Sequence, residues 1–131
     1  MNFIDTNYFL RFLLNDISEQ HKTVKELFLS ASEGKVALTT STIVFFEIYW
    51  VLGSYYEKEK TEIVEALKNI LKLTFIEIEE RQILLNSIKL FEKTNLDLED
   101  CYNLYFAKAK KVKLFKTFDK KLDREFVRQQ K

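Results

Sequence analysis

Proline is absent and glycine occurs only twice, so no Pro- or Gly-rich linker divides the chain, and no internal repeat or low-complexity tract interrupts it. A single cysteine, Cys101, cannot close an internal disulfide. No charged segment followed by an apolar core and a small-residue cleavage site opens the sequence, so a reducing, cytoplasmic setting is expected. The longest apolar stretch, Ile43 to Leu52, is broken by Glu47 and falls well short of the ~20 residues of a membrane span, so no transmembrane helix is expected. One histidine, His21, lies in the polar run Glu19-Gln20-His21-Lys22 and reads as solvent-facing. With one His and one Cys there is no ligand set for zinc or another soft metal.

What is present is largely apolar, with charge on 31% of the residues. Across 131 residues, 47% are hydrophobic and 15% aromatic, with 12 Phe, which excludes a disordered chain and suits one globular domain spanning residues 1–131. The net charge is only +1, yet it is unevenly spread. From Lys108 to Lys131 ten Lys or Arg oppose three acids, a balance of +7, which leaves −6 on the preceding 107 residues. Such a tail suits a polyanion such as an RNA backbone; a solvated helix face has the same composition.

Apolar periodicity divides the chain into alternating strands and helices. Asn2-Phe3-Ile4 reads as a short strand that stops at Asp5-Thr6-Asn7, after which Tyr8, Phe9, Phe12 and Leu13 mark a helix face. Ser18 caps a second helix bearing Val24, Leu27, Phe28 and Ala31, with Gly34 at its end. Val36 to Thr39 reads as the next strand, and Thr40-Ser41-Thr42 opens a helix from Ile43 to about Tyr55 that is apolar on nearly every side, the pattern of a buried helix. A further amphipathic helix starts at Lys60 or Thr61. A third strand covers Phe75 to Ile78 and a helix Glu79 to Lys93, and acids at Asp97, Glu99 and Asp100 open another helix through Ala109. Val112 to Phe118 reads as a fourth strand, ending at Asp119 before a basic last helix. This alternation predicts an α/β domain with a parallel sheet and helices on both faces.

Five acidic positions invite a common reading. Asp5 and Asp119 each end an apolar strand, and in open α/β sheets that end is where ligands bind; each can also serve as a helix cap. Glu47 interrupts Val-Phe-Phe-Glu-Ile-Tyr-Trp, where an unpaired buried carboxylate costs several kcal/mol, so it needs a cavity, a metal or a basic partner. Asp97 and Asp100 share one face of a helix's first turn, where acids also complement the helix dipole. Carboxylates converging without matching lysines or arginines raise one another's pKa unless a cation neutralises them. Oxygen donors of this kind suit Mg²⁺ or Mn²⁺. A divalent ion can activate water, orient a phosphodiester and stabilise the leaving oxygen, so hydrolytic phosphoryl transfer is the chemistry these residues suggest.

Asp5-Thr6-Asn7, Ser41 with Glu47 six positions on, Leu98-Glu99-Asp100-Cys101 and Thr117-Phe118-Asp119, in that order over essentially the whole chain, resemble the PIN-domain ribonucleases. Size and spacing are most similar to the VapC toxins of type II toxin-antitoxin pairs. The resemblance implies a central parallel sheet of four or five strands flanked by helices, in a single three-layer domain. It implies that Asp5, Glu47, Asp100 and Asp119 are catalytic and bind Mg²⁺ or Mn²⁺, with Thr6, Asn7, Ser41 and Thr117 in support and Asp97 as an extra acid. Cys101 and the bulky Tyr102 depart from the small residue common after the third acid. The expected activity is a metal-dependent endoribonuclease with an RNA substrate, a cognate antitoxin protein that occupies the acid cleft, and a homodimer formed through the apolar Ile43 to Tyr56 region. An RNA-processing nuclease outside any toxin pair, or a non-catalytic binding module of the same fold, are the alternatives.

Overall fold

The computed structural model describes residues 1–131, which fall into two compact units, Met1–Glu80 and Arg81–Lys131. The first unit carries the sheet. Its elements run β1 (Asn2–Phe3), α1 (Thr6–Leu14), α2 (Ser18–Ser32), β2 (Leu38–Thr40), α3 (Thr42–Ser54), α4 (Lys60–Leu71) and β3 (Ile76–Ile78). The strands pair in the order β1-β2-β3, both pairs parallel, with Asn2 opposite Leu38 and Leu38 opposite Ile76. Parallel neighbours need a crossover. Here α1 and α2 supply one and α3 and α4 the other, so helices flank a parallel sheet as the alternation predicts.

Caps set where the helices begin and end. Asp5 is extended at φ −88°, ψ 170° and its carboxylate accepts from the Thr6 N–H, starting α1. Asn15 closes the same helix in the left-handed region at φ 49°, a conformation Asn tolerates better than most residues. Ser41 starts α3 through its Oγ, which accepts from the Val44 N–H at 3.2 Å. Gly34 follows α2 at φ 79°, as its place just past the helix end predicts. Beneath the helices, Phe9, Val24, Phe28, Leu38, Ile48, Leu67 and Ile76 are almost fully buried. Phe28 is central among them: its ring lies 6.0 Å from Phe9, 5.0 Å from Phe12 and 5.6 Å from Phe75.

The second unit is helical. It consists of α5 (Arg81–Lys93), α6 (Leu98–Ala109) and α7 (Lys120–Gln130), and α5 packs densely on α6 around Leu84, Ile88, Leu98, Cys101 and Leu104. Leu122 and Phe126 bury the inner face of α7, and Phe115 lies 5.3 Å from the Phe126 ring.

Two expectations are corrected here. The sheet has three strands rather than four or five, because Val112 to Phe118 is irregular: nothing pairs with it, and Leu114 and Phe118 are exposed. The all-apolar helix is buried on one side only. Val44, Phe45, Ile48 and Leu52 face the core, where α3 meets α1 and α4, while Ile43 and Trp50 are 71% and 63% exposed.

Candidate active site

In the first unit, Asp5 is fixed from both sides. The Ile4 N–H donates to the Thr39 carbonyl at 2.9 Å, and the buried Thr40 hydroxyl donates to the Ile4 carbonyl at 2.7 Å. With Ile4 held on the sheet, Asp5 is presented at the strand's carboxyl end, and one of its oxygens, Oδ1, engages the Thr6 N–H at 2.7 Å. Capping and site placement are therefore not rivals at Asp5; one oxygen caps. Thr40 was not singled out by sequence, where it reads only as a helix-start residue.

Thr6 is buried at the base of α1, and its hydroxyl donates to Glu47 Oε2 at 3.2 Å. This bond joins residues 41 apart in sequence and brings Glu47 beside the residue next to Asp5. Glu47 itself is exposed, not buried as its apolar neighbours suggest. It lies on the open face of α3, in one stripe with Ile43 and Trp50 at i, i+4 and i+7 spacing, so solvent rather than a basic partner satisfies its charge. Asn7 is exposed and its amide makes no hydrogen bond, and Ser41 spends its hydroxyl on the α3 cap.

Arg11, which sequence reasoning passed over, organises the back of this half. Its guanidinium grips both oxygens of Asp16 at 2.9 and 3.0 Å and donates to the Tyr56 hydroxyl at 3.0 Å. His21 is half-buried rather than solvent-facing: its Nδ1 lies 2.9 Å from the Arg11 carbonyl and its ring stacks on Phe12.

The second unit holds the other acids. Asp97 is the N-cap residue of α6 and Asp100 lies in its first turn. Asp119 caps α7, its Oδ1 accepting from the Lys121 and Leu122 N–H groups at 2.9 and 3.1 Å, and its own N–H donates to Thr117 Oγ1 at 3.0 Å. Thus Thr117 and Asp119 keep the local relation expected of them without the strand. Partial burial pushes the Asp100 carboxyl above its ordinary range, and the charges of Asp97, Asp119 and Glu99 push it further. Glu99 is exposed and adds to this negative field.

None of Asp5, Glu47, Asp97, Asp100 or Asp119 forms an ion pair with a lysine or arginine. These are hard oxygen donors, and the field on Asp100 is one that a cation would relieve. In kind, the donor set fits Mg²⁺ or Mn²⁺. In number, neither unit alone groups three such side chains closely enough to hold an ion.

A parallel sheet feeding an aspartate into a helix cap, a threonine-supported glutamate on α3, and acids at two later helix starts define a class. The PIN domain family model matches residues 3–125, across both units, and the chain belongs to the PIN domain family. It is also similar to a VapC ribonuclease from Aquifex aeolicus (strain VF5), with 29% identity over 112 residues that cover 86% of this chain and 81% of that protein.

Proposed function

We propose that residues 1–131 act as one PIN nuclease domain that hydrolyses RNA phosphodiesters with Mg²⁺ or Mn²⁺. What carries this reading is a set of four carboxylates, Asp5, Glu47, Asp100 and Asp119, on a PIN-family chain, none of them neutralised by a lysine or arginine. The four would hold the ion, with Asp97 as an additional acid. When bound, the ion would supply charge to the phosphate oxygens and lower the pKa of water.

The remaining work falls to the chain. The Thr6 hydroxyl fixes one oxygen of Glu47 and leaves the other available. Asp5 and Asp119 each cap a helix through Oδ1, so both carboxylates are oriented before substrate arrives. The acid field around Asp100 repels a phosphodiester in the absence of a cation, which makes RNA binding at the site depend on metal. On α7, Lys121, Arg124 and Arg128 line a cavity of about 250 Å³ that would take the RNA backbone.

The likeness to a VapC ribonuclease favours the toxin of a toxin-antitoxin pair over a processing nuclease, with cytoplasmic RNA as target and a cognate antitoxin as partner. No helix is long and apolar enough to cross a membrane. The exposed Ile43, Trp50 and Tyr55 flank Glu47 on and beyond α3 and offer an apolar surface for an antitoxin or for a homodimer.

The test is incubation of the purified protein with defined RNAs, with Mg²⁺, with Mn²⁺ and with EDTA, beside Asp5→Asn. Cleavage should require the metal and the carboxylate. Cleavage that survives both EDTA and the substitution would sink the mechanism.

A further inference from the structure

Three features of the molecule stand outside the acid set: an apolar groove along α2 near Phe75, the basic cavity on α7, and a cavity of about 510 Å³ between α1 and α2. The last is open-mouthed, lies within the first unit, and begins at Asn7, two residues from Asp5. Its volume is within the roughly 300–1,000 Å³ typical of small-ligand sites.

The cavity's lining is polar but effectively uncharged. Arg11 is the one charged residue in its wall; its side chain is 11% exposed and its guanidinium is already committed to Asp16 and to the Tyr56 hydroxyl. No cation is left to attract a phosphate here, in contrast to the α7 cavity with Lys121 and Arg124. The Asn7 and Gln20 side-chain amides both border the cavity and make no hydrogen bond. Tyr8, 41% exposed, and Val24 provide aromatic and apolar surface. A side-chain amide offers a donor and an acceptor side by side, the pattern that reads the edge of a base, and adenine best of the four. An exposed aromatic ring supplies a stacking surface for an unpaired base.

We propose that the α1–α2 cavity is a nucleobase subsite: it receives the base of a nucleotide next to the scissile phosphate, with Gln20 and Asn7 reading its edge and Tyr8 stacking on it. The inference rests on the endoribonuclease reading above and names what that activity would select. Because Arg11 is clamped through Asp16, the wall of the cavity is fixed before RNA binds, and selection costs little ordering of the protein.

The test compares kcat/KM on four single-stranded RNAs that differ in one base beside the cleavage point, for the native protein, Gln20→Ala, Gln20→Glu and Tyr8→Ala. Gln20 is exposed and outside the metal set, so its variants keep the fold, which a melting curve verifies. The native protein should favour one base, adenine first, by about tenfold. Gln20→Ala should flatten that preference while cleavage of the disfavoured RNAs stays as it was, Gln20→Glu, which loses the amide donors, should shift it to another base, and Tyr8→Ala should lower kcat/KM on all four RNAs, because every base offers a face to stack on. Equal cleavage of all four RNAs by the native protein, an unchanged preference in the Gln20 variants, or Tyr8→Ala cleaving every RNA as well as the native protein overturns the subsite and leaves the nuclease reading intact. A native protein that cuts none of them with either metal overturns both.

Discussion

Asp5 and Asp119 do the same local job on different supports. Each caps a helix with one carboxylate oxygen, and each has a threonine beside it, Thr6 following Asp5 and Thr117 preceding Asp119. Asp5, however, follows a hydrogen-bonded strand through Ile4, whose carbonyl is gripped by Thr40, whereas Asp119 follows an unpaired segment and depends on its own cap and on Thr117 for orientation. The sheet thus makes the first half of the acid set rigid, and helix starts alone shape the second. A cap is worth ~1 kcal/mol and a ladder bond a similar amount, so the second half has fewer contacts to oppose local opening.

The comparison breaks most visibly in activity. Asn caps a helix about as well as Asp, and Asp100 lies in the first turn of α6 rather than at its cap, so Asp5→Asn, Asp100→Asn and Asp119→Asn should keep the fold while each removes a charge from the metal set. Cleavage of a defined RNA should fall by about 100-fold or more in each case, the scale of losing several kcal/mol of charge stabilisation. If Asp119→Asn alone retains full activity, Asp119 contributes only a helix cap.

Next in size is Thr6. Its hydroxyl is the link between the Asp5 strand end and Glu47, and loss of such a supporting bond costs roughly 10- to 100-fold. Thr6→Val should show that loss in kcat, and Thr6→Ser should recover it. A Val variant as active as the native protein would mean that Glu47 orients itself.

A smaller effect separates the two supports by stability. Asp119→Ala removes the acceptor of both capped N–H groups of α7 and should cost about 1 kcal/mol in denaturant unfolding, where Asp119→Asn costs little. Equal stability of the two variants would show that the α7 start is held by Leu122 and Phe126 burial instead.

How much of this was legible in the sequence follows the same division. The first strand, its stop at Asp5, the Ser41 cap and the acids opening α6 are local patterns, and they stand where their spacing puts them. The Thr6–Glu47 bond is not local, and nothing in either residue's neighbours announces it. Val112 to Phe118 has strand-like composition, but a strand needs a partner, and β-propensity measures fit to a pleated surface rather than the presence of one. The apolar run of α3 misled for a related reason: hydrophobicity shows that a helix can be buried, not how many elements are there to cover it. Ile43 and Trp50 are left uncovered, and Glu47 between them needs no buried partner.

The smallest effects are in pH, and they have opposite signs within the second unit. Glu125 accepts hydrogen bonds from Arg128 and Gln129, and the Arg128 bond chiefly holds its carboxyl below the ordinary range. Between the folded and unfolded values the unfolded chain binds the extra proton, so this contribution is present above the unfolded pKa and is lost as pH falls through the folded one. Asp100 runs the other way: its raised carboxyl keeps a proton longer in the folded chain, so stability falls as pH rises through its range. In metal-free buffer at pH 7, Glu125→Gln should lower the melting temperature and Asp100→Asn should raise it, and both differences should fade as pH drops below the ordinary carboxylate range of about 4. Adding Mn²⁺ at pH 7 should stabilise the native protein and erase the advantage of Asp100→Asn, since a bound cation removes the repulsion that the substitution relieves. An Asp100→Asn melting temperature that is unchanged at pH 7, with and without Mn²⁺, would mean that the acids opening α6 and α7 do not act on one another strongly enough to need an ion.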